Sequence, residues 1–268
     1  MGAAFHRAAH QVLEEGRIFA DPLALHIFGY DEAAVRAEAE RRPESRRMRL
    51  FIAVRTRFAE DALAAAVEGG VRQLVVLGAG LDTYAYRGAM RDRLRLFEVD
   101  HPATQEWKRR RLAEAGIEAP VNLTFAPVDF ERETLPAGLE AAGFDRQRPS
   151  FFTWLGVVPY LTPEAFWATA AYIGGSPGGA QVVFDYADPP ASLPAEQRAR
   201  HEERAARVAQ IGEPWLNYFE PAELHAGLRG RGFHEVEDLG PPEITARYFR
   251  FNGPVPERGG HVIRTATA

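Results

Sequence analysis

The chain has 268 residues, 46% of them hydrophobic, enough for one large α/β domain or a core with a helical cap. A formal net charge of -5 supplies no global positive field, so a nucleic-acid partner is not expected. With no cysteine there is no disulfide, redox dithiol or zinc thiolate site, and no metal is expected.

The opening Met1-Gly2-Ala3-Ala4-Phe5-His6 lacks a secretory apolar region, and His6 stands where a myristoylation motif wants Ser or Thr. No apolar run approaches the roughly 20 residues of a membrane span. The expectation is a cytoplasmic protein without a membrane partner. Residues 1–70 read as helices. Asp21-Pro22 is a helix start, and Leu50, Phe51, Val54, Phe58, Leu63 and Val67 recur at helical spacing until Gly69-Gly70. The clusters Arg46-Arg47-Met48-Arg49 and Lys108-Arg109-Arg110-Arg111 read as solvated helix faces, and Lys108 is the only lysine of the chain.

Short apolar runs then appear at 74–77, 94–99, 121–126, 150–155 and 181–186, with helical stretches at 103–115, 132–142 and 163–173 between them. Strands alternating with helices imply right-handed βαβ crossovers and a buried parallel sheet. Asp188-Pro189-Pro190-Ala191-Ser192 breaks the pattern before a charged helix at about 195–211 and another at 221–228. Strands at 233–239 and 260–265 follow, joined by a loop that holds Pro241-Pro242 and Asn252-Gly253-Pro254. The fold class is α/β: a doubly wound, Rossmann-like, seven-stranded, mostly parallel sheet with helices on both faces. Residues 1–70 form an N-terminal cap, and 71–268 the main domain with a helical insertion around 190–230, cap and core making one structural unit. The apolar residues Phe5, Ile18, Phe19, Leu23 and Phe28 suit either a lid over a pocket or a helix packed statically on the sheet edge.

The sharpest local signal is the first strand running into Gly78-Ala79-Gly80-Leu81-Asp82-Thr83. Glycines two apart let a ligand approach the backbone at the strand end beside the switch point of an open parallel sheet. Asp100 closes the second strand, where a carboxylate can accept from both hydroxyls of a ribose. Alone, this admits NAD(P) or S-adenosylmethionine. Thr83 stands where the dinucleotide fingerprint wants a third Gly or Ala, and Asp82 suits a cation better than a pyrophosphate. Asp129-Phe130 follows the third strand, where an acid can accept from an adenine amino group and a ring can lie against the base.

Taken together, these residues resemble the leucine carboxyl methyltransferase-like family of class I S-adenosylmethionine-dependent methyltransferases, in its bacterial O-methyltransferase branch. The resemblance runs from about Arg55 to Tyr248 through Val54-Arg55-Thr56-Arg57-Phe58, Gly78-Ala79-Gly80-Leu81-Asp82-Thr83, Tyr86-Arg87, Glu98-Val99-Asp100-His101-Pro102, Pro159-Tyr160-Leu161-Thr162-Pro163-Glu164, Gly212-Glu213-Pro214-Trp215 and Ala246-Arg247-Tyr248-Phe249. It implies that Arg55 pairs with the cofactor carboxylate, and that the loop Gly78, Ala79, Gly80 and Asp82 faces its methionine part. Asp100 would then bind the ribose, and Asp129 with Phe130 the adenine. Two positions depart from the family: Tyr84 replaces the usual Arg or Thr, and Leu155, placed in the cofactor site, replaces a usual Glu.

Methyl transfer from a sulfonium needs an acceptor held in line and water excluded, so no obligatory catalytic residue is expected. The acceptor is expected to be a small molecule (a specialised metabolite) or a peptide-like carboxylate, methylated on oxygen, with S-adenosylhomocysteine as product. Tyr84, Tyr160 and Asp185 are candidate catalytic groups, Asp185 for a hydroxyl acceptor. Tyr84, Tyr86, Arg87, Tyr186 and Arg247 are candidate substrate contacts, and either arginine has the fork to clamp a carboxylate. The alternatives are a nicotinamide-dependent oxidoreductase and a non-catalytic S-adenosylmethionine-binding relative.

Overall fold

A computed structural model of the chain describes residues 2–130, 132–210, 212, 214–249, 253 and 255–267. The expected helix end at Ile211, the motif residue Glu213 and the loop residues Asn252 and Pro254 lie outside the described residues. The seven strands take the order β3-β2-β1-β4-β5-β7-β6, giving the mostly parallel sheet of an α/β Rossmann-like fold. The backbone clusters into two compact units that divide between Thr153 and Trp154, with residues 2–70 belonging to the first.

The first unit opens with α1 (Gly2–Leu13), α2 (Ala24–Phe28), α3 (Glu32–Glu40) and the long α4 (Arg46–Glu68), which ends on Gly69. β1 (Gln73–Leu77), β2 (Arg95–Asp100), β3 (Leu123–Pro127) and β4 (Ser150–Trp154) follow, connected through α5 (Tyr84–Arg87), α6 (Pro102–Glu114) and α7 (Leu135–Ala141). β1 pairs in parallel with both β2 and β4, and β2 with β3. Every residue of β1 is buried, as the uninterrupted apolar run of a central parallel strand requires. Phe97, Phe144 and Phe152 meet edge to face, with centroids 5.6 and 5.7 Å apart, and anchor this half of the core. Truncating one such ring to alanine costs about 3–5 kcal/mol.

The second unit holds α8 (Pro163–Gly174), β5 (Ala180–Ala187), α9 (Ala195–Gln210), α10 (Pro221–Arg229), β6 (Glu235–Leu239), α11 (Pro241–Tyr248) and β7 (Gly260–Ala266). Thr162 caps α8 by accepting from the Ala165 amide at 3.3 Å. β7 runs antiparallel to both β5 and β6. Trp154 stacks on Phe166 at 5.2 Å, and Phe184 and Phe219 close on the same ring.

Two expectations change. The loop expected around Pro241-Pro242 begins as α11, because proline is tolerated in the first helical turn, and Glu243 and Arg247 suit the two ends of the helix dipole. The basic clusters are not wholly solvated either. Arg49 is buried in a two-pronged pair with Glu14 at 2.8 Å, and Lys108 is 1% exposed, bonded to Glu98 at 2.6 Å.

Candidate cofactor site

The carboxyl ends of β1, β2 and β3 lie in register, Leu77 beside Val99 and Asp100 beside Pro127. The chain leaves β1 through Gly78 and Gly80, whose φ angles of 64° and 43° demand glycine. A side chain added at Gly80 would meet nothing nearer than the Gly78 carbonyl at 3.9 Å, so the loop keeps its outer face open. The Ala79 amide donates to the Val99 carbonyl at 3.1 Å and ties the loop to β2.

Asp100 is bound into this loop. One carboxylate oxygen accepts from the Gly80 amide at 2.6 Å and the other from the His101 amide at 2.7 Å. A carboxylate has about four acceptor sites, so this leaves capacity for two ribose hydroxyls. The Val128 amide donates to the Asp100 carbonyl at 2.9 Å, which brings Asp129 and Phe130 to the same sheet edge. Asp129 lies 3.6 Å from Arg132, and Phe130 is 59% exposed although it is a large apolar ring. An exposed aromatic shelf beside an acid matches what an adenine ring needs. Of the two arginines in the Val54–Phe58 stretch of α4, Arg55 is buried, whereas Arg57 faces solvent and pairs with Asp61 at 2.8 Å. These residues fit S-adenosylmethionine: an open glycine cradle, an acid with spare acceptor capacity and an unfilled aromatic shelf.

Other candidates are occupied elsewhere. Tyr84 is 6% exposed and packs over Gly88, where a Cβ would come within 2.5 Å of its ring; burial pushes its hydroxyl up to about 12. The fork of Arg87 is taken by Glu60, at 2.6 and 3.1 Å, which leaves no bidentate face for a carboxylate substrate. Tyr86 lies over the buried Lys108, whose ammonium is 5.5 Å from its ring centroid, and burial raises its hydroxyl as well.

In the second unit, Asp185 of β5 is buried and accepts from the Gly156 amide at 2.6 Å, fixing the turn just after Leu155. Tyr160 is exposed in the short turn Val158–Tyr160. Tyr186 is buried and donates to Asp238 at 2.5 Å, so it belongs to an internal network with His261. Arg247 pairs with Glu237 at 2.7 Å at the surface. Sequence reasoning missed Arg7 and Glu60 beside the glycine loop, and gave Asp21 only as a helix start and Glu98 only as part of a motif. Their partners stand 10 to 74 residues away, and no local pattern announces the pairings. Among the described residues no group of three or more His, Asp or Glu side chains is arranged to hold a metal ion, and no helix is long and apolar enough to cross a membrane.

A Bacillus subtilis protein, YktD, provisionally named an S-adenosyl-L-methionine-dependent methyltransferase, is 35% identical over 182 residues, 67% of this chain and 60% of the relative. A provisionally named methyltransferase of the same kind from Mycolicibacterium paratuberculosis is 33% identical over 227 residues, 80% of this chain and 70% of its own. The match thus spans less than two thirds of the Bacillus relative. Among solved structures, a DUF574 family protein from Streptomyces avermitilis superposes with a TM-score of 0.61 at 16% identity, covering 98% of this chain and 97% of that one. A provisionally described methyltransferase from Thermobifida fusca gives 0.59 at 17% identity, covering 98% and 94%. Both likenesses speak for the fold. The leucine carboxyl methyltransferase family model matches residues 1–174, and with relatives at this identity the chain belongs to that family.

Proposed function

We propose that the chain is an S-adenosylmethionine-dependent methyltransferase that methylates an oxygen of a small-molecule or peptide-like acceptor, with a carboxylate favoured. The observation that carries this reading is the Asp100 carboxylate held against the Gly80 amide at 2.6 Å, at a glycine where an added Cβ would meet nothing nearer than 3.9 Å. When bound, the cofactor supplies an electrophilic methyl group on a sulfonium. The residues of the chain bind and orient. Asp100 holds the ribose, Phe130 and Asp129 take the adenine, and Arg55 meets the carboxylate of the methionine part.

The buried tyrosines among the candidate groups do not supply a general base. Burial raises Tyr84, Tyr86 and Tyr186, so none is poised to take a proton near neutral pH. An acceptor already ionised, such as a carboxylate with a pKa near 4, needs no base, which is why it is favoured over a phenol or alcohol. The chemistry then reduces to alignment and exclusion of water. The net charge of -5 favours small or peptide-like acceptors over nucleic acid.

Calorimetric titration tests the cofactor. Micromolar binding of S-adenosylhomocysteine and S-adenosylmethionine, absent for NAD and lost in Asp100→Ala, is expected. Binding of NAD alone, or of none of the three, overturns the reading. Incubating the enzyme with methyl-labelled cofactor and a panel of carboxylic acids should then give products that release methanol in mild alkali, as esters do and ethers do not.

A further inference from the structure

The first 21 residues reach into the glycine loop through buried charge. Arg7, on α1, donates a hydrogen bond to the Leu81 carbonyl, and its guanidinium stands 3.8 Å from the Asp82 carboxylate. The same guanidinium lies 3.3 Å from Asp21, whose side chain is fully enclosed between α1 and α2. Asp21 accepts from the Thr83 hydroxyl at 2.7 Å and from the Leu23 amide at 3.1 Å, and lies 3.2 Å from Arg87. Arg87 in turn donates to the Thr83 hydroxyl at 2.8 Å and grips Glu60 of α4. Three consecutive loop residues, Leu81, Asp82 and Thr83, are thus tied to the N-terminal segment directly after Gly80.

A set of buried charges is a costly way to hold a fold together, because apolar residues of similar volume do as well or better. What charge-assisted hydrogen bonds add is geometry: they fix where the Leu81 carbonyl points and where the Asp82 side chain stands. Two guanidinium groups here face three carboxylates, so the cluster keeps an excess negative charge beside the loop, and that charge suits a cationic ligand.

We infer that Arg7 and Asp21 are positioning residues of the cofactor site, and that the N-terminal segment is a fixed brace of the glycine loop rather than a lid over the acceptor. This rests on the proposed cofactor. The brace sets cofactor affinity, and it leaves the transfer step nearly alone.

The full-length protein tests it with Arg7→Met, Arg7→Lys and Asp21→Asn. Arg7→Met and Asp21→Asn should raise the S-adenosylhomocysteine dissociation constant and the cofactor KM by roughly tenfold or more, with kcat changed by less than about threefold. Arg7→Lys keeps the charge but not the fork. It should fold as the wild type does and fall between the two, which separates lost positioning from a failure to fold. Amide exchange at residues 80–84 of the ligand-free protein should accelerate in all three variants. Wild-type affinity with unchanged exchange overturns the brace. So does a fall in kcat at constant KM, the mark of a lid. A wild type that binds no sulfur ligand, with exchange still accelerated in the variants, retains the brace and overturns the cofactor reading instead.

Discussion

The first unit balances its buried carboxylates chiefly with arginine and the single lysine, with His10 as an addition at Glu14, and the second centres on His261, with Arg258 as an addition. Glu98 faces Lys108, Glu14 faces Arg49, and Asp21 and Glu60 face Arg87. In the second unit His261 is held between Asp188, at 3.3 Å, and Asp238, at 3.1 Å. Tyr186 and His225 also bond Asp238, and Arg258 meets Asp188 at the rim. The guanidinium groups of the first unit stay charged through neutral and alkaline pH, whereas the imidazolium of the second exists only while its partners hold the proton on. The two units should therefore fail under different insults.

The largest effect is expected at Lys108. Burial pushes the Glu98 carboxyl up, to about 7, against the attraction of the ammonium 2.6 Å away. Lys108→Met removes that cation and should destabilise the protein by about 3–5 kcal/mol in urea unfolding, the cost of a buried charge without its partner. Adding Glu98→Leu should recover most of the loss, because the pair is worth little against two apolar side chains. A single variant as stable as the wild type would show that the pair is not desolvated in solution.

Next comes the pH dependence that separates the units. Burial disfavours the His261 imidazolium, but its hydrogen bonds to Asp188 and Asp238 overcome this and raise it from 6.5 to about 9. A folded pKa above the unfolded one gives stability that is complete below 6.5 and lost as pH climbs through about 9, roughly 3 kcal/mol in all. In the first unit the sign is opposite. Burial raises the Glu14 carboxyl, but hydrogen bonds from His10 and Arg49 outweigh it and lower the group from 4.5 to about 2. Its contribution is present above 4.5 and fades as pH falls towards 2. Tryptophan fluorescence, dominated by Trp154, Trp167 and Trp215 of the second unit, should lose stability between pH 7 and 10, and His261→Gln should flatten that loss. Glu14→Gln should leave the alkaline limb unchanged and soften the acid one.

The same contrast explains what was legible in the sequence. The seven strands and the glycine loop were legible because each depends on neighbours in the chain: an apolar run, then glycines that the backbone angles demand. Asp100 was legible for the same reason, since it stands at the end of a strand that the pattern already marks. Lys108 and Arg49 were misread as solvated because their partners, Glu98 and Glu14, lie ten and 35 residues away. Asp21 looked like a helix cap, and nothing local links it to Thr83, 62 residues on. Tyr84 was a candidate only as a departure from the family motif next to the glycine loop, while its burial depends on Gly88 yielding room for the ring. Periodicity reports which face of an element is apolar. It does not report which charged side chain has a distant carboxylate waiting for it.

The smallest effect on stability should belong to Phe130, and it sharpens the comparison from the ligand's side. Phe130 and Tyr84 are both aromatic residues of the first unit, one 59% exposed and the other 6%. An exposed phenylalanine contributes little to the core, so Phe130→Ala should leave urea unfolding unchanged to within about 0.5 kcal/mol. If the ring is the shelf for an adenine, stacking on it is worth about 1–3 kcal/mol, and the same substitution should weaken S-adenosylhomocysteine roughly tenfold or more. Tyr84→Ala should do the reverse, costing about 3–5 kcal/mol of stability as other buried aromatics do. Phe130→Ala with wild-type affinity would remove the ring from the site and leave Asp129 alone to account for the base. Phe130→Trp, which enlarges the shelf without filling the core, should bind at least as tightly as the wild type.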